Sequence, residues 1–477
     1  MPIINVQISD KPYQKTDYPD QYARENSYID EMINGYIDSD GSIRRIFGAL
    51  LFKDLSVENK KVNGLYWSHR LGVLLVAVGT RLFKITDATG SSSEITGESL
   101  RDDRCIFADN GTYIVIASGG DLRYTDGTTL SAIADNDQPT AVSHVAFMDT
   151  YILCNMGNTA KFFYNTDMTT WSALAFASAE GVSDNLVALM VSNRQIYLFG
   201  QKSLEIWYND GSTPFSRRQD FYLESGCLAK YSVVNVEGNF FWIDDKRRVI
   251  SLSGSSPKVI SYSIQNIINN FTDVSDAIGD NIMVGGRGFY VLHFPSQSRT
   301  FAWDYIGEYW AEWANWSDPG TNFTRWFGNC YVQCPDWNLY VVGDCTSSKV
   351  YSVSFEYNDF NGEHMRFLKR SNVIDGQTRN RKISKRLSIM AKRGFGKSEE
   401  NNTLDTNQMA HMMIRWRDNN GRYGNTVFIP LGRLGEQDRE VSIYRMGQYV
   451  DRQYEISITD KVPFVIYRLE EDVEVVR

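Results

Sequence analysis

Seven times between residues 64 and 353 the sequence repeats one theme. An apolar strand is followed by a turn, a second apolar strand, a glycine or polar break, and a third strand rich in aromatic residues. The copies run over 64–85 (GLYWSHRLGVLLVAVGTRLFKI), 105–124 (CIFADNGTYIVIASGGDLRY), 145–164, 187–208, 233–252, 282–303 and 327–353. Gly79, Gly119, Gly157 and Gly200 mark the break after the second strand and are spaced by 40, 38 and 43 residues. From Gly200 to Gly343 three further units take 143 residues, about 48 each. A single small sheet cannot shield both of its faces from water. Sheets set radially around an axis cover one another and leave only short edges, and a period of roughly 40–50 residues is the mark of that β-propeller arrangement. About seven blades are expected, with the fourth strand of each in the variable segments such as 166–176. Neither a WD nor a Kelch signature is present. Unrelated hairpins in a sandwich are the competing reading. The strand expected over 43–52 is placed to close the ring by pairing with the last blade.

From about residue 360 the pattern changes. Alternating segments at 383–391, 412–417, 426–430, 439–444, 454–459 and 464–469 are joined by turns such as Asp418-Asn419-Asn420-Gly421 and Asp460-Lys461-Val462-Pro463. Such regular spacing predicts a compact β-sandwich. The expected organisation is all-β: an N-terminal extended segment over 1–42, a β-propeller over 43–357 and a C-terminal β-sandwich over 358–477. Helical spacing occurs over 262–271 (YSIQNIINNF), where Ile264, Ile267 and Ile268 predict one short helix. Asp38-Ser39-Asp40-Gly41-Ser42 begins like a calcium loop, but its twelfth position is Ala49 rather than Glu, so a tight turn is expected.

An aromatic content of 13% and an apolar content of 42% supply enough surface for buried cores across 477 residues. The formal charge of −9 argues against general nucleic-acid binding, which needs clustered Lys and Arg against phosphates. The opening MPIIN lacks the basic and apolar regions of a signal peptide, and no stretch approaches the roughly 20 apolar residues of a membrane span. The expectation is a protein made in a cytoplasm, without membrane insertion, its six cysteines reduced.

Catalysis requires an acid, a base or a nucleophile in position. The five histidines (His69, His144, His293, His364 and His411) form no HExxH spacing, and neither a GxSxG elbow nor a P-loop occurs. Val284-Gly285-Gly286-Arg287-Gly288 leads into a strand and offers phosphate no helix N-terminus. Cys330, Cys334 and Cys345 lack a fourth ligand for zinc. No catalytic, cofactor-binding or metal residue is assigned and no enzyme is expected. One charged segment stands apart. Between residues 366 and 397 lie eleven basic residues and a single acid, Asp375. Within it Arg379, Arg381, Lys382, Lys385, Arg386, Lys392 and Arg393 form a candidate strip facing DNA or an acidic partner. A solvated strand face or a subunit contact is the competing reading.

An ordered set of short motifs resembles the packaged-DNA stabilisation proteins of short-tailed bacteriophages. Gly41-Ser42-Ile43-Arg44-Arg45-Ile46-Phe47-Gly48 resembles the family's G-x-L-R-x-x-P-G, with Phe47 in place of proline. Ile414-Arg415-Trp416-Arg417-Asp418-Asn419-Asn420-Gly421 is similar to L-R-W-S-D-D-G-G, and Leu431-Gly432-Arg433-Leu434-Gly435-Glu436 to L-G-x-x-G-E. Tyr444-Arg445-Met446-Gly447 stands where W-R-L-G is expected. Ile458-Thr459-Asp460-Lys461-Val462-Pro463 matches I-T-D-P-V-P, with Lys461 in place of proline. Order, spacing and length agree over essentially the whole chain. The resemblance implies a structural virion protein, a homo-hexameric tail-hub ring below the portal and its adaptor. Such a ring extends the DNA channel, helps retain packaged DNA and carries the tail needle and the tailspikes or fibres. It also implies that the channel DNA is touched non-specifically and that no cofactor is held. The alternative is a carbohydrate-binding or glycan-degrading propeller of a phage fibre, since 165–171 (NTDMTTW) and 416–423 (WRDNNGRY) resemble the Asp-box turn of sialidases.

Overall fold

The computed structural model describes residues 3–6, 11–13, 30–168, 170–179, 184–211, 214–317, 322–376, 378–395, 397–398, 404–405, 409–436 and 441–476. Seven four-stranded antiparallel sheets follow the repeat. Blade one spans 62–97, blade two 106–132, blade three 145–178, blade four 186–217, blade five 234–259 and blade six 278–312. Blade seven takes three strands from 328–354, and its fourth is the N-terminal strand Gly48–Asp54, which pairs antiparallel with Lys349–Ser354. The ring is thus closed by hydrogen bonds between residues some 300 positions apart. The fourth strand of blade three is Phe176–Ser178, at the end of the 166–176 segment assigned to it, because Asn165 and the residues after it form a turn first. The expected helix is the single turn Gln265–Asn269.

Why the sheets stand radially is legible in the side chains. Along Val73–Val78, Leu74, Val76 and Val78 face blade seven while Leu75 and Ala77 face blade two. In blade five Phe240 and Trp242 face blade four, and Phe241 and Ile243 face blade six. Both faces of a blade are apolar, so the period-two alternation that normally separates core from solvent here separates one neighbour from the other. Every adjacent pair of blades shares one apolar cluster, including the pair made by blades seven and one, where Trp67, Leu74 and Val76 meet Cys330, Val341 and Val350.

The residues after 358 do not close on themselves. Two sheets face each other across a core that includes Phe367, Leu387, Ile389, Met412, Ile414, Ile456 and Ile466. One sheet consists of Lys382–Ala391, Val441–Tyr444, Gln448–Tyr449 and the long strand Val465–Val475, and it takes in Ile3–Val6, Gly35–Ile37 and Ile43–Arg45 from the N-terminal region. The other runs Phe367–Arg370, Arg452–Ile458, His411–Asp418 and Val427–Pro430. It is continuous with blade six, because the two-residue strand Met32–Ile33 pairs with Glu312 on one side and with Leu368 and Lys369 on the other. The described strands of segment 1–42 are therefore woven into both sheets, and Asp38–Ser42 is the turn of a hairpin in which Asp38 pairs with Arg44 at 2.9 Å. The motifs at 41–48 and 458–463 meet here. Buried Arg45 donates to the carbonyl oxygens of Asn358 (2.9 Å) and Asp460 (2.6 Å), and burial pulls its pKa down to about 10. Phe47 is fully buried, its ring 5.1 Å from Trp313 and 6.2 Å from Trp326.

Candidate functional site

The first strands of successive blades approach one another around the axis. At the end where they begin, the centre is filled by a polar network. Arg104, just before blade two, reaches Asp280 in the first strand of blade six at 2.6 Å and also donates to the carbonyl oxygen of Asn329 in blade seven. The two side chains are 11% and 8% exposed. Asp103 accepts from Lys230 (3.0 Å) and from the Tyr231 hydroxyl (3.2 Å), both just before blade five. The His144 ring of blade three lies 5.6 Å from the Tyr231 ring. Groups from blades two, three, five, six and seven therefore converge on one point. Burial opposes the charge of Arg104, but Asp280 more than compensates and raises its pKa. The neighbouring His293 is buried, bonded through Nδ1 to Thr300 Oγ1 at 3.1 Å, with its Nε2 3.6 Å from Asp280, too far for a hydrogen bond. Burial lowers its pKa to about 4 and that of His144 to about 3. Both are held as neutral structural groups.

A cleft of about 580 Å³ opens between blades six and seven, lined by Trp316, Arg325, Phe327, Asp344, Cys345 and His364 among others. Its carboxylate Asp344 accepts from the Thr346 and Ser347 hydroxyls of its own turn, and His364 faces a backbone oxygen at 3.3 Å. Nothing there pairs a base with a nucleophile in the manner chemistry requires. Cys330 and Cys334 lie in one blade-seven strand, and burial pushes both thiols up to about 12. Among the described residues no group of three His, Cys, Asp or Glu side chains is arranged to hold a metal ion, and no helix is long and apolar enough to cross a membrane.

The basic strip is dispersed by its strand. Lys382 leaves the candidate set because it is buried. Its ammonium donates to the carbonyl oxygens of Thr378 (2.8 Å), Asn380 (3.0 Å) and Val450 (2.7 Å), and burial lowers its pKa. Lys385 pairs with Glu474 at 2.6 Å and Arg386 with Asp472 at 2.9 Å, both on the adjacent strand Val465–Val475. Arg393 donates to the Pro430 carbonyl at 3.3 Å, and Lys392 sits 5.1 Å from the Phe395 ring. Arg379 and Arg381 stand exposed before the strand begins. Elsewhere in the eleven, Lys369 is buried against Asp30, and Arg370 binds Glu31 and Glu455. The acids that answer these bases lie far away in sequence, which is why the local run looked unbalanced. No local pattern marks Arg104 as a bridge across the axis, since it stands in an ordinary Asp102-Asp103-Arg104 triplet.

Fold and site together define a β-propeller joined to a pair of C-terminal sheets. A family model described as bacteriophage P22 Gp10, beta-propeller, matches residues 4–358, and the chain belongs to this phage stabilisation family. It is a phage structural protein. No curated protein matches the chain. Among solved structures it is similar to an extracellular domain, BT4673, from B. thetaiotaomicron (10% identity, 87% of this chain and 58% of that one, TM-score 0.43). It is also similar to YCF48 bound to D1 peptide (10% identity, 65% and 96%, TM-score 0.41) and to the Pan2 WD40 domain of Neurospora crassa (9% identity, 67% and 97%, TM-score 0.42). The chain spans less than two thirds of the first of these.

Proposed function

We propose that the protein is the hub of a short phage tail. Copies assemble as a homo-hexameric ring below the portal and its adaptor, extend the DNA channel, help retain the packaged genome, and carry the needle and the tailspikes or fibres. The observation that carries this reading is a ring tied blade to blade by apolar clusters and filled at its centre by Arg104, in a chain of the phage stabilisation family. Such a body is stiff, and it presents loops on several faces to different partners. A cyclic ring uses heterologous contacts, so two different surfaces of each copy meet. We assign DNA retention to the assembled ring rather than to the 379–393 strip, because Lys385 and Arg386 already face carboxylates and Lys382 is buried. Electron microscopy of the purified virion tests the proposal. Six copies between adaptor and needle are expected. Finding the chain in the capsid shell, or at the distal tip of a fibre with glycan-cleaving activity, would overturn it.

A further inference from the structure

The outward face of the C-terminal sheet that continues from blade six carries a cluster of charge that ring closure does not use. Arg370 stands opposite Glu455, and Glu455 opposite Arg415, across three adjacent strands. Alternation sends Phe367, Ile456 and Ile414 into the core and leaves Arg370, Glu455, Arg415 and Arg417 on the other side. Buried Glu455 accepts from Arg370 at 2.8 Å and from Arg415 at 2.7 Å, while Arg370 also binds Glu31. The Tyr423 ring lies 4.8 Å from the Arg415 guanidinium and 5.2 Å from that of Arg417. Half-buried Arg366 completes the group, 5.4 Å from the Trp316 ring. Its Nε is buried without a partner, and its guanidinium meets no acceptor among the described residues. Four arginines thus gather around the carboxylates of Glu31 and Glu455 in a chain whose net charge is −9. Burial disfavours the charge of Arg366, the nearby Glu455 carboxylate offsets part of this, and Arg415 and Arg370 oppose it further. In the adjoining row Met413 stands opposite Phe428, which is 63% exposed on the edge strand Val427–Pro430.

We propose that this face docks a partner protein through an acidic segment laid across the strands, one carboxylate pairing with Arg366 while an apolar side chain further along the segment rests on Phe428 and Met413. A planar guanidinium and a carboxylate match in a two-pronged pair, and arginine beside an aromatic residue is the usual composition of an interface's energetic centre. DNA fits less well. Backbone binding draws on several open cations at once, whereas Arg370 and Arg415 already share Glu455.

The test uses the full-length chain and two fluorescent probes: a peptide rich in glutamate and leucine, and a DNA duplex of equal charge. Saturable peptide binding is expected, weakened about tenfold by Arg366→Gln, equivalent to about 1.4 kcal/mol, and severalfold by Phe428→Ser. Lys258→Gln on blade five, whose side chain is 61% exposed, removes the same charge elsewhere and leaves binding unchanged. If Arg366→Gln fails to fold, exposed Phe428 supplies the reading. No saturable peptide binding, equal binding by the variants, or tighter Arg366-dependent binding of the duplex would each overturn the proposal. The hub assignment is judged separately, on the position of the ring in virions.

Discussion

Arg104 shows what a single residue does in this ring. It ties blade two to blades six and seven across the axis, and its removal leaves Asp280 charged and unpaired in the interior. Breaking a buried pair in this way costs about 3–5 kcal/mol, so Arg104→Ala should lower the urea midpoint by that equivalent. His293 makes a second prediction. Above pH 6.5 the ring is neutral in both folded and unfolded chains and contributes nothing to pH dependence. Between 6.5 and about 4 the unfolded chain takes up a proton that the folded one refuses, so stability falls as pH falls through that window. The loss is roughly 3 kcal/mol for such a shift. His293→Gln should flatten the decline of the urea midpoint between pH 7 and pH 4, leaving the portion due to His144. Neither role was legible in the sequence, because an isolated His in a strand and an isolated Arg in the turn before one carry no local pattern. In the sequence Phe47 stands out only as a departure from proline. The structure supplies its reason, a ring packed edge-on against Trp313 and Trp326.

At the scale of the element, strand alternation and the glycine-marked period were enough to place all seven blades, because the three repeated strands of each are local antiparallel neighbours. Pairings over long separations were harder to see. The closing strand Gly48–Asp54 is one of them: a single strand over 43–52 was expected there, and the structure splits it, sending Ile43–Arg45 to the C-terminal sheet and only Gly48–Asp54 to blade seven. A Cβ on Gly48 would meet the carbonyl oxygens of Asp359 and Tyr357, the latter at 2.6 Å. Gly48→Ala should therefore cost about 1–3 kcal/mol through forced displacement, read as a lower thermal midpoint. The basic strip is the opposite case. Its bases are local, but Asp472 and Glu474 reach them only through the pairing of Lys382–Ala391 with Val465–Val475. Reversing Lys385 and Arg386 to glutamate should destabilise the sheet by under about 1 kcal/mol per pair. Restoring opposite charge with Asp472→Lys and Glu474→Lys should recover the thermal midpoint, an outcome DNA-facing side chains would not produce.

For the whole molecule, the sequence divided the chain at 42 and 358, and the structure threads it back together. Strands from the first 45 residues complete the C-terminal sheets, and Met32–Ile33 makes one of those sheets continuous with blade six. Composition and period cannot reveal such sharing, since each strand satisfies the same alternation whichever sheet it joins. A chain truncated after residue 360 should lose Leu368 and Ile466, which pair with Ile33 and Ile43, and expose unpaired edges, which favour self-association. Sedimentation velocity should find it aggregated where the full chain is not.

The bridging strand has a mechanical consequence. Two bodies in one chain ordinarily rock against each other unless a large apolar contact holds them. Here Tyr309 and Ala311 of blade six sit in the same oil-like interior as Phe464 and Leu469 from the far end of the chain. A push on the C-terminal sheets is carried into the wheel through that shared interior.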